Sequence, residues 1–104
     1  MTSKHRKAFE EFAEKAKEEL GDSLKKLVLY GSVARGEETE ESDVDIFAVV
    51  ESRSQKRNLE QLAAEIGVEY GVLFSAIVKT EKDYKEMEDS SFSQEVRDTG
   101  EVYV

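Results

Sequence analysis

Apolar residues fall at helical spacing through the first twenty positions. Phe9, Phe12, Ala13, Ala16 and Leu20 recur three and four apart and draw one stripe along a helix over residues 3–20. Thr2 or Ser3 stands where a capping hydroxyl is favoured, and Gly21 where a helix ends. Glu11 and Lys15 lie four apart in the favourable order. After a turn at Asp22 and Ser23 the pattern changes. Leu27, Val28, Leu29 and Tyr30 form an unbroken apolar run, which predicts a strand over Leu24–Tyr30, and Gly31-Ser32 breaks it. Residues 32–36 read as a short helical turn and Glu37 to Ser42 as an exposed acidic loop. A second strand spans Asp43–Glu51, with Val44, Ile46, Ala48 and Val50 on the core side. A second amphipathic helix over residues 54–66 buries Leu59, Leu62, Ala63 and Ile66, and Gly67 stops it. The nearly continuous run Val72 to Val78 predicts a third strand, Glu69–Val78, covered on both faces and therefore central. Thr80 with Asp83 opens another helix through Met87. Phe92 and Val96 mark a short helix ended near Gly100, and Glu101 to Val104 form a terminal strand or a packed tail.

The order α-β-α-β-α-β-α predicts an α/β (α+β) fold, a three- to four-stranded mixed sheet with flanking helices. Residues 1–104 make a single domain with one core. With no Cys and one His, disulfides and thiolate or His-rich metal sites are excluded. No apolar run approaches the ~20 residues of a membrane span, and no signal peptide opens the chain, so a cytoplasmic address is expected. A formal charge of −9 disfavours a nucleic-acid acceptor. The one concentrated basic cluster, Lys4, His5, Arg6 and Lys7, reads as a solvated helix start. The four Glu of the 37–42 loop have no basic neighbour in sequence, and a bound cation or a basic partner would relieve their repulsion.

The chemistry concentrates around the first two strands. Asp43 and Asp45 share one face of a strand, roughly 6–7 Å apart along the backbone. Divalent cations prefer such carboxylate oxygens. Gly31 lets the backbone approach a ligand closely. Ser32 offers a hydroxyl and opens a helical turn whose free N–H groups favour anions. The two halves meet only if the strands run antiparallel; a phosphate cradle then sits beside a cation clamp, as magnesium-bound nucleoside triphosphates require. Arg35 either meets a phosphate or pairs with the acidic loop. Asp-x-Asp spacing alone carries little, since Glu38/Glu40 and Glu86/Glu88 share it; the combination at the ends of two apolar strands carries the assignment.

GSVARGEETEESDVDI resembles the Gly-Ser-x10-Asp-x-Asp signature of the DNA polymerase beta-like nucleotidyltransferase superfamily. The LYGSVARG and SDVDI segments resemble more particularly its minimal nucleotidyltransferases, small proteins often encoded beside a HEPN-domain partner. The resemblance implies the nucleotidyltransferase fold. It implies transfer of a nucleoside monophosphate from a nucleoside triphosphate, ATP foremost, to an acceptor hydroxyl such as a Tyr of a HEPN-domain protein. Asp43 and Asp45 would be catalytic and hold Mg2+ or Mn2+; Gly31, Ser32 and Arg35 would bind nucleotide. The superfamily also carries a third carboxylate on the third strand. Strand register puts that position at Leu73, with Glu69 the nearest carboxylate of the same parity. A side chain without oxygen at that place leaves a second function open, that of a non-catalytic, antitoxin-like subunit that binds nucleotide and restrains a partner protein. Homo-oligomerisation is open as well.

Overall fold

The computed structural model of the chain describes residues 3–86 and 100–104. Helix α1 spans Lys4–Leu20, and Ser3 caps it by accepting the Arg6 backbone N–H at 3.1 Å. A single 3-10 turn, Gly21–Ser23, leads into strand β1, Leu24–Tyr30. Helix α2 is Gly31–Arg35, strand β2 is Val44–Val50, helix α3 is Arg53–Tyr70 and strand β3 is Phe74–Thr80. Helix α4, Glu81–Lys85, starts at the Thr80 hydroxyl, which accepts the Asp83 N–H at 3.3 Å. The last element is a two-residue strand, β4, Glu101–Val102. The helix expected around Phe92 and Val96, and the end of the one expected to reach Met87, lie outside the described residues.

The four strands line up as β3-β2-β1-β4. β1 runs antiparallel to β2 and to β4, and β2 parallel to β3, so the sheet is mixed. Alternation divides its side chains between two layers. Leu27, Leu29, Val44, Ile46, Ala48 and Val50 turn to one face and pack with Phe9, Phe12, Ala16, Leu59 and Ile66 of α1 and α3. Val28, Tyr30, Phe47 and Val49 turn to the other, where Ile77 and Tyr84 join them. At about 25 cal/mol per Å² the first layer supplies most of the driving force for folding, because nearly all its large residues are fully buried.

Two expectations are corrected. The second helix does not stop at Gly67. It runs on to Tyr70, and Gly71 is its C-cap. Gly67 serves close packing: a Cβ there would come within 2.7 Å of the Val72 carbonyl oxygen. The third strand accordingly begins at Phe74, and Glu69 is an exposed residue of α3, off the sheet. Nor is β3 central. Among the described residues it is an edge strand, and within it only Val78 is buried. Its apolar run packs on α3 with one face and is half-covered elsewhere, a pattern that resembles two-sided burial when read from residue types alone.

Candidate functional site

β1 ends where β2 begins, so the two halves of the proposed site arrive at one end of the sheet. Tyr30, the last residue of β1, lies directly across from Asp45. The next residue, Gly31, opens α2 with φ +76°, a conformation that side chains with a Cβ resist. A Cβ at Gly31 would run into the Asp45 carboxyl group. The Gly-Ser turn and the second aspartate are therefore in direct apposition, and the missing side chain makes that approach feasible. Ser32 is half-buried, and its carbonyl accepts the Glu37 N–H at 2.9 Å, folding the chain back after α2. Asp45 is half-buried on the same face as Phe47 and Val49; Asp43, just before the strand, is exposed.

The third strand meets this pair in parallel register, Val44 across from Phe74 and Asp45 across from Ser75. The Val44 N–H donates to the Leu73 carbonyl at 2.8 Å, which extends the register by one step. Leu73 thus stands opposite Asp43, as strand counting predicts, and it is 73% exposed. Glu69 does not share that strand: it is an exposed residue of α3, two positions before the Gly71 cap. Among the described residues no group of three or more His, Cys, Asp or Glu side chains could hold a metal by itself.

Arg35 points into the acidic loop. Its Nε lies 3.2 Å from Glu37 Oε2, and both side chains are well exposed, so the pair is weak and replaceable. The loop also has basic and polar partners of its own. Ser3 Oγ donates to Glu38 Oε1 at 2.6 Å, and Lys4 Nζ lies 3.0 Å from Glu40 Oε2. The Ser3 hydrogen bond holds the Glu38 carboxyl below its ordinary range, and Lys4 does the same for Glu40. The expected lack of a basic neighbour is thereby corrected: Arg35 meets Glu37, and Lys4, more than thirty residues away in sequence, meets Glu40.

The basic cluster is a solvated helix start only in part: Lys4 and Lys7 are exposed, His5 and Arg6 are not. His5 is 3% exposed. Arg6 turns under α2: Nη2 donates to the Val33 carbonyl at 3.1 Å and to Glu101 Oε1 at 2.9 Å, and Nη1 donates to Glu101 Oε2 at 3.1 Å. The Tyr103 hydroxyl donates to the same Glu101 oxygen at 3.1 Å. A planar guanidinium fork suits this two-pronged contact, which a lysine could not reproduce. The Arg6 hydrogen bonds hold the Glu101 carboxyl below its ordinary range, and the Glu101 partnership raises Arg6. α1, α2 and β4 are thus clamped together directly behind Ser32. Nothing local in the sequence marks this clamp, since its partners lie 95 residues apart.

A family model described as "Nucleotidyltransferase domain" matches residues 6–98. The chain is 35% identical over 96 residues to a Methanocaldococcus jannaschii protein named "Putative protein adenylyltransferase MJ0604", covering 92% of this chain and 94% of that one. A second protein of that organism under the same description, MJ0141, is 34% identical over 84 residues, 78% of this chain and 80% of its own length. Among solved structures, a toxin–antitoxin with AMP-PNP superposes with a TM-score of 0.61 at 17% identity, over 89% of this chain and 70% of that one. The structural likeness concerns the fold.

Proposed function

The chain belongs to the nucleotidyltransferase domain family, and we propose that it moves adenosine monophosphate from ATP to a hydroxyl of a partner protein, with residues 1–104 acting as one domain. The observation that carries this reading is the apposition of Gly31 and the Asp45 carboxyl. It sets a turn suited to phosphate oxygens against a pair of carboxylates suited to a divalent cation. The donor set fits magnesium or manganese: two carboxylates on one face, with the remaining positions left to triphosphate oxygens and water, which is how magnesium is held in phosphoryl-transfer sites. When bound, the ion would neutralise the triphosphate. Asp43 and Asp45 would hold it, and the Gly31 backbone and Ser32 would orient the outer phosphates. Arg35, tied only to an exposed Glu37, is free to exchange that partner for a phosphate. The acceptor oxygen bonds to the α-phosphorus, the bond to pyrophosphate breaks, and the hydroxyl proton leaves with the departing groups or solvent. Positioning and charge stabilisation would supply most of the rate.

A protein acceptor is supported by the names of the relatives, and a tyrosine of a HEPN-domain protein is the specific acceptor proposed. The toxin–antitoxin neighbour supports a partner protein in general. One feature favours a second reading, a nucleotide-binding subunit that restrains its partner without turnover: Leu73 occupies the strand position where the superfamily pattern expects a third carboxylate. Incubation with each of the four nucleoside triphosphates, radiolabelled on the α-phosphate, separates the two. Label moving onto the partner with ATP, and lost in Asp43→Asn, is the expected result. Tight ATP binding without any label transfer at saturating metal and partner would replace the first reading with the second.

A further inference from the structure

Helix α2 carries Ser32 yet has only five residues. A helix that short does not recover its own nucleation cost. Two backbone bonds close its turn: the Gly36 N–H donates to the Val33 carbonyl at 3.2 Å, and the Glu37 N–H to the Ser32 carbonyl at 2.9 Å. The Val33 side chain is fully buried and fixes one face in the core. A tertiary hydrogen bond to its backbone comes from α1, where Arg6 Nη2 donates to the Val33 carbonyl, one residue beyond Ser32. The start of α1 also meets the segment that follows. Ser3 bonds Glu38, and Lys4 pairs with Glu40. One helix start therefore meets positions 33, 38 and 40, all on the path from Ser32 to Asp43.

We infer that Arg6 is a positioning residue for the nucleotide site: it holds the Gly31-Ser32 turn at its working distance from the aspartates. The inference rests on the nucleotidyltransferase reading above. Arg6 acts through Val33 and not on the nucleotide. A guanidinium carries two N–H on each Nη, and all of them are occupied here. Nη2 meets the Val33 carbonyl and Glu101 Oε1; Nη1 meets Glu101 Oε2 and, at 3.4 Å, the Tyr103 hydroxyl. No Nη hydrogen is left for a phosphate. Glu101 carries the anchor back to the sheet, because it pairs with Leu29 of β1, two residues before Gly31. A single planar fork thus ties the chain just before the turn to the chain just after it. A lysine has one point charge and cannot span both partners in that geometry. The neighbouring Lys4–Glu40 pair is exposed and contributes little, so the weight of the contact falls on Arg6.

Amide hydrogen exchange by NMR and magnesium-ATP calorimetry, both on the full chain, test the inference. In Arg6→Met the Gly36 and Glu37 amides, which close the α2 turn, should exchange about tenfold faster or more. The dissociation constant for magnesium-ATP should rise about tenfold or more, since small displacements at such sites are costly. Arg6→Lys keeps the charge without the fork and should rescue neither readout. Val50→Ala separates positioning from stability. It empties buried volume at the end of β2 away from Asp45, so it should lower the melting temperature while exchange at Gly36 and Glu37 and nucleotide affinity stay at wild-type values. Wild-type exchange at Gly36 and Glu37 in Arg6→Met overturns the inference. So does faster exchange with unchanged magnesium-ATP affinity, which leaves the fork a matter of stability alone. A wild-type chain that binds no magnesium-ATP is a separate result: it overturns the nucleotide reading, and this inference with it, before any variant is compared.

Discussion

Gly31→Ala is the most discriminating substitution in the candidate site, because Gly36→Ala serves as its control. Both glycines hold nearly the same left-handed conformation, φ +76° at Gly31 and +72° at Gly36. Each therefore incurs a backbone cost of about 1–2 kcal/mol on gaining a Cβ. They differ in what the new methyl meets. At Gly36 there is nothing within 4 Å; at Gly31 it enters the Asp45 carboxyl group. Relief requires Asp45 to leave its rotamer, at about 0.5–1.5 kcal/mol, or α2 to lift off the sheet. Gly31→Ala should thus destabilise the chain by about 2–3 kcal/mol against about 1–2 for Gly36→Ala. For a domain of this size the difference corresponds to several degrees in melting temperature. The functional gap should be wider. A displacement of about 1 Å at a phosphoryl-transfer site can cost about a hundredfold, so magnesium-ATP binding by calorimetry should collapse in Gly31→Ala and persist in Gly36→Ala. The double variant Gly31→Ala/Asp45→Ala removes the collision, and its stability should exceed the sum of the two single effects. Equal melting points and equal nucleotide affinity in the two alanine variants would refute the apposition of turn and carboxylate.

Arg6→Met removes the fork that ties Glu101 and Val33 to α1; because the pair is partly exposed, the expected loss is about 1–3 kcal/mol in urea unfolding, and Arg6→Lys should recover little of it. The carboxyls of Glu38, Glu40 and Glu101 are all held below their ordinary range by Ser3, Lys4 and Arg6 respectively. A carboxyl lower in the folded than in the unfolded chain contributes stability above its unfolded pKa and loses it as pH falls through the folded one. The urea midpoint should therefore fall on acidification below the ordinary glutamate range, and Glu101→Gln should flatten that fall; an unchanged acid limb would remove Glu101 from the account. Leu73→Asp should put a third carboxylate opposite Asp43 at little cost to folding, since Leu73 is 73% exposed, and its melting temperature should rise more with manganese than that of the natural chain; an equal metal response would place position 73 away from the ion.

The parts of this molecule that were legible in sequence are those whose signals are local. The alternation in β2 assigned Asp43 and Asp45 to one face and Val44, Ile46, Ala48 and Val50 to the other, because a strand's period of two leaves no third choice. The same count located Leu73 opposite Asp43. The antiparallel pairing of β1 and β2 followed from requiring Gly31 and the aspartates to meet. Where reading failed, two structural causes of one local signal had to be distinguished. Gly67 suggested a helix end, since glycine favours C-caps, yet it also permits close packing inside a helix, and only the Val72 carbonyl above it decides between these uses. Glu69 reads as a strand residue for that reason alone. The apolar run of β3 likewise suggested a central strand, since residue types report how much surface is covered and not whether a neighbouring strand or a helix covers it. The clamp of Arg6 on Val33 and Glu101 was beyond local reading altogether, because its members are joined by the sheet. β4 reaches the α1 side only through its pairing with β1, and α2 lies above Arg6 only because β1 ends at Tyr30. A charged cluster on a helix start is therefore ambiguous until topology states what lies beneath it. Here it lies beneath the turn proposed to hold phosphate, which makes the order of the strands a determinant of the site's rigidity as well as of the fold.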